Sequence, residues 1–167
     1  MTTSAAETQC NPEMSRRIEL ALLLVILSVA VFLRLHNLAN VPHGLSHDEL
    51  TNSQMAEDVL GGARPIYFTG GYGHEPLYLY LMAATVRLFG NNALGIRLPS
   101  ALCGLLGMGA SYALARRLFG VKVALITTTG LAVSWWPVFY SRVGLRAIAL
   151  PLFAALSALF LWQGISR

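Results

Sequence analysis

Three short polar stretches hold the ionisable side chains best placed to do chemistry: Asp48-Glu49, His74-Glu75, and Arg142 with Arg146 in Ser141-Arg142-Val143-Gly144-Leu145-Arg146. Guanidinium groups bind phosphate oxygens bidentately, so two of them at a membrane edge can neutralise a leaving phosphate. The same arginines also serve as snorkelling anchors at helix ends. A carboxylate beside a reacting hydroxyl can take its proton, yet Asp48 at a helix start also favours the positive end of that helix. Glu49 completes the capping-box pattern Ser46-His47-Asp48-Glu49, in which its carboxyl reaches back to the cap residue. His74-Glu75 stands before Pro76, and proline is favoured at the first position of a helix, so this pair also reads as the opening of one. Residue types alone leave both readings of each position open.

The elements that must position these groups are apolar. Hydrophobic residues make up 55% of the 167 positions and charged residues 12%, with a mean hydropathy of +0.57. Soluble domains carry roughly twice that charge fraction, and here the charges cluster between long apolar runs, as in a membrane protein. Four runs are long enough to span: about 18–35, 98–115, 121–140 and 147–165. The first follows Arg16-Arg17 and a small polar tail over residues 1–15 that is expected to be disordered. It is longer than a signal-peptide core and lacks a convincing Ala-x-Ala, so it reads as a retained anchor. The apolar segment Pro76 to Phe89 falls short of the roughly 17–25 residues needed to cross.

Arg116-Arg117-Leu118-Phe119-Gly120-Val121-Lys122 is the densest basic turn, which positive-inside bias assigns to the cytoplasm. With a cytoplasmic N-terminus, residues 36–97 and 141–146 are then extracytoplasmic, and the Pro76 segment lies along the outer interface. Trp135, Trp136 and Tyr140 form an aromatic belt on that side. Within the outer loop, the capping box predicts a helix from Ser46 to about Leu60, stopped by Gly61-Gly62. Gly70-Gly71-x-Gly73 follows no strand and is no nucleotide-binding loop.

Several function classes drop out. The net charge of +4 and pI near 9.4 carry no basic patch with interleaved aromatics, so nucleic acid is not an expected partner. Cys10 sits in the polar tail and Cys103 in an apolar run; neither has metal-ligand neighbours, and no disulfide between them is expected. A small transporter would place ionisable residues in mid-span, and these runs hold almost none.

A longer pattern runs through the chain: Arg34-Leu35, Pro42-x-Gly44-Leu45, Asp48-Glu49, Gly73-His74-Glu75-Pro76-Leu77-Tyr78, Arg97-Leu98-Pro99-Ser100-Ala101-Leu102, Arg116-Arg117-Leu118-Phe119-Gly120 and Ser141-Arg142. This ordered set resembles the N-terminal part of the GT-C membrane glycosyltransferases, in the branch of protein O-mannosyltransferases and lipid A aminoarabinose transferases. The resemblance covers about Arg34 to the C-terminus. It implies an all-α integral membrane fold of about four spans with outer interfacial helices, in the cell membrane. It further implies transfer of a sugar from a polyprenyl-phosphate donor to the hydroxyl of an acceptor protein or glycolipid, on the extracytoplasmic side and with inversion. By place in the motifs, it implies catalytic roles for Asp48 as base and Glu49 beside it. His74, Arg142 and Arg146 would bind the donor phosphate, and Glu75 would help hold a divalent metal in relatives that use one.

Where many relatives carry an acidic residue just after the second outer loop, Ala147-Ile148-Ala149-Leu150 offers none. Enzymes of this kind run to several hundred residues, so the chain is expected to be incomplete and inactive without C-terminal helices or a partner subunit. The alternative reading is a non-catalytic truncated or accessory membrane subunit.

Overall fold

The computed structural model describes residues 15–70 and 73–166. The polar tail, with Cys10, lies outside the described residues. The chain is helical: α1 (Arg16–Leu35), α2 (His47–Leu60), α3 (Pro76–Phe89), α4 (Ala93–Phe119), α5 (Val121–Val133), α6 (Trp135–Arg142), and a 3-10 turn (Arg146–Ile148) leading into α7 (Ala149–Ile165). Among the described residues no strand forms; Phe68 and His74 make one isolated bridge. Three helices are long and apolar enough to cross a membrane: α1, α4, and α7 with its 3-10 turn. The α5–α6 pair, bent by 55°, makes a fourth if it is one span. The spans leave large apolar side chains uncovered, Leu24 at 65%, Leu106 at 62% and Leu150 at 73% among them. In water such surface would be heavily penalised; hydrocarbon accepts it. The protein is an all-α membrane protein.

Proline places the irregularities. Pro137 has no N–H for the carbonyl of Val133, and its ring crowds that carbonyl, so the helix breaks at Ser134 and restarts. Pro99 likewise frees the carbonyl of Gly95 inside α4, and Thr85 Oγ1 of α3 donates to it at 2.7 Å. A lost helix bond thus becomes an α3–α4 contact.

The direction of the helices follows from two clusters. At one end, Arg116 of α4 donates to both carboxylate oxygens of Glu19 of α1, at 2.6 and 3.1 Å, and Tyr112 donates to the same carboxylate. At the other, Arg97 near the start of α4 reaches the carbonyls of Leu38, Pro42 and Gly44, just past the end of α1. So α1 and α4 run antiparallel, and segment 36–92 begins and ends at one end of the bundle. There α2 packs on α3, α3 on α4 and α4 on α7, around Met55, Leu79, Met82, Ile96 and Leu152. Ala30, Met108 and Ala132 form a smaller core between α1, α4 and α5.

Candidate active site at the loop end of the bundle

Helix α2 starts as its sequence dictates. Ser46 accepts from the Glu49 amide at 3.3 Å, and Glu49 Oε2 accepts from the Ser46 amide at 2.8 Å, closing the capping box. The other oxygen, Oε1, accepts from Arg97 Nε at 2.7 Å and from the Gly144 amide at 3.0 Å. Glu49 and Arg97 are each 1% exposed. Burial pushes the Glu49 carboxyl up, but Arg97 and the Ser46 and Gly144 amides outweigh it, leaving the carboxyl below its ordinary range. Both oxygens are occupied, which makes Glu49 the pin that locks α2 to α4 and to the turn after α6.

Asn52, one turn on, donates to the Gly144 carbonyl at 3.0 Å, so α2 holds Gly144 by both its amide and its carbonyl. Only glycine fits there. A Cβ at Gly144 would lie 2.8 Å from Ile96 Cγ2 and 3.0 Å from the Ile96 carbonyl.

Asp48 is exposed in the first turn of α2, and no described residue gives its carboxylate a hydrogen bond or ion pair. Arg146 donates from Nη1 to the Gly73 carbonyl at 3.1 Å and to Glu75 Oε2 at 2.7 Å, and among the described residues Nε and Nη2 have no partner. The Glu75 amide and the Arg146 charge hold the Glu75 carboxyl below its usual range. His74 Nδ1 lies 3.1 Å from the Gly70 carbonyl, which only accepts, so in that contact Nδ1 is the donor. Arg142 is more engaged: Nη1 donates to Leu33 at 2.6 Å, and Nη2 to His36 and Val41 at 2.8 and 3.0 Å. It caps the end of α1.

The expected residues therefore fall into linked pieces. Glu49 holds the turn between Arg142 and Arg146, and Arg146 meets Glu75, whereas among the described residues Asp48 and His74 make no hydrogen bond to the others. Glu75 gives one oxygen, Oε2, to the Arg146 guanidinium, and no three His, Cys, Asp or Glu side chains gather among the described residues.

Two arginines were not singled out from sequence as site residues. Arg97 opens the run Arg97-Leu98-Pro99-Ser100-Ala101-Leu102 of the ordered pattern, at the mouth of an apolar stretch, with no role assigned to it. Arg34, 1% exposed, donates to the Leu131 and Ala132 carbonyls at 2.8 and 3.1 Å and to Ser141 at 3.3 Å, satisfying the end of α5 at the break. In both cases the signal was a charge inside an otherwise apolar stretch, which calls for a partner.

The bundle of apolar helices gathers polar groups at one end, where Asp48 has no partner among the described residues. The sequence profile of the dolichyl-phosphate-mannose-protein mannosyltransferase family matches residues 73–167, more than half the chain. The chain belongs to that family. No curated protein and no solved structure matches it. The matched region contains His74, Glu75, Arg97, Arg142 and Arg146, while Asp48 and Glu49 precede it.

Proposed function

We propose that this protein transfers a sugar from a polyprenyl-phosphate donor to an acceptor hydroxyl, at the bundle end that carries residues 36–92, on the extracytoplasmic face. The carrying observation is Asp48: an exposed carboxylate without a partner among the described residues, on a helix start pinned by its neighbour Glu49 to the turn that bears Arg146. As the acceptor oxygen bonds to the anomeric carbon, its proton passes to Asp48. The bond from that carbon to the phosphate oxygen breaks, and the electron pair leaves with the polyprenyl phosphate. N–H groups on Arg146 supply charge-assisted hydrogen bonds to that phosphate. Glu49 acts as a positioning residue through Asp48, and Arg142 through the loop after α1. Further helices, from a longer chain or a partner subunit, would wall the donor.

The test is Asp48→Asn in the complete enzyme, reconstituted in lipid. Asparagine keeps the size and helix preference of the site but cannot accept the proton. Turnover should fall by about 10²–10⁴, the usual worth of a general base, with donor binding unchanged. Near-normal turnover, combined with loss of activity in Arg146→Ala, would show that the aspartate is structural.

A further inference from the structure

Below Asp48, α2 faces a cleft of about 430 Å³ closed on its other side by residues 65–70. Thr51, Gln54 and Asp58 line it from the helix, Tyr67 and Thr69 from the opposite segment. Asp48, Thr51, Met55 and Asp58 follow the three-four-three spacing of one helix face, so the cleft begins one turn beneath the Asp48 carboxylate, about 4.5 Å along the axis. A second link runs through Tyr67. Its hydroxyl sits against Gly73, where an added Cβ would lie 1.7 Å away, and the Gly73 carbonyl takes the Arg146 guanidinium. The cleft therefore runs along the helix of the base, and its Tyr67 reaches the Gly73 backbone that holds Arg146.

Its chemistry selects a ligand class. No arginine, lysine or histidine lines it, so it is no phosphate site. The Thr51 hydroxyl proton is spent on the His47 carbonyl at 3.0 Å, leaving that oxygen as an acceptor. The Asp58 carboxylate is exposed and has no partner among the described residues, and a carboxylate only accepts. The Tyr67 side chain is likewise exposed. Surplus acceptors facing an open aromatic ring suit a neutral molecule bearing several hydroxyls.

We infer that this cleft is the acceptor subsite and that the acceptor is a sugar, held by Asp58, Gln54 and Tyr67 so that one of its hydroxyls reaches Asp48. The inference rests on the proposed function and refines it. In the complete protein in nanodiscs, saturation-transfer NMR with methyl glycosides of mannose, glucose and galactose should show binding of at least one. Asp58→Leu and Tyr67→Ala should each weaken it about tenfold or more, the worth of one hydrogen bond to a charged group. In turnover assays with that glycoside as acceptor, Asp58→Leu should raise KM and leave kcat, the signature of lost uniform binding. A serine-bearing tripeptide that saturates where no glycoside does would overturn the sugar assignment. Glycoside binding untouched by both variants would overturn its placement. Asp48→Asn separates the two ideas: lost turnover with intact cleft variants sinks only the subsite, and lost glycoside binding in Asp58→Leu with normal Asp48→Asn turnover sinks only the base.

Discussion

A single buried carboxylate decides how firmly the site is held. Glu49 binds three N–H donors from α2, α4 and the 143–145 turn, and removing one partner of such a buried pair costs about 3–5 kcal/mol. Its carboxyl titrates below the unfolded value of about 4.3, so the stability it confers is complete above that pH and is lost as pH falls through the folded value. Thermal unfolding in detergent should therefore be flat from about pH 5 to 8 and drop below about pH 4. Glu49→Gln should start lower and show a shallower acid drop; an unchanged acid slope would mean other groups carry it. Gly144→Ala should also lower the midpoint, by clash with Ile96, whereas Gly109→Ala, which meets nothing within 4 Å, should not. The half of this cluster that is local in sequence was legible. Ser46 and Glu49 are three residues apart, and the capping box is a near-neighbour pattern. Arg97 was not, because its partner lies 48 positions away and nothing in the spacing of an apolar run says which loop its one charge will meet.

At the level of elements, apolar length read α1, α4 and α7 well, since a bilayer-spanning helix is set by composition over many residues. The edges were less visible: α4 begins at Ala93 because Asn92 caps it, ahead of the continuous apolar stretch. The break at Ser134 was missed although Pro137 was in view, because whether proline kinks a span or interrupts it depends on what satisfies the freed carbonyls. Here Arg34 does so. Arg34→Met should strip hydrogen bonds from Leu131 and Ala132 at about 1–3 kcal/mol. Pro137→Ala lets α5 run on, so that later amides take up those carbonyls. The double variant should thus be more stable than Arg34→Met alone, and strictly additive effects in a double-mutant cycle would contradict this.

The whole molecule is an antiparallel arrangement in which everything between α1 and α4 gathers at one end, with Asp48, Arg146 and the cleft together there. Single cysteines at Asn91 and Gly120, in a background lacking Cys10 and Cys103, test its orientation. An impermeant thiol reagent on intact cells should label Asn91 and spare Gly120; the reverse pattern would invert the site to the cytoplasm.

The two ends of α1 share a peculiarity with consequences for synthesis. Glu19 meets Arg116 97 positions later, and Arg34 meets Leu131 and Ala132 97 and 98 positions later. While the ribosome is still making α4, the first helix sits in the translocon with an unanswered charge near each end. Neither charge lies at the bilayer midplane, where an arginine costs roughly 2.5–3.5 kcal/mol on insertion scales, but each must stay near water until its partner emerges. The contacts that anchor α1 are therefore expected to form in two steps, at Glu19 once α4 is made and at Arg34 once α5 is made. Two helices made later, α4 and α5, thus hold the two ends of the first.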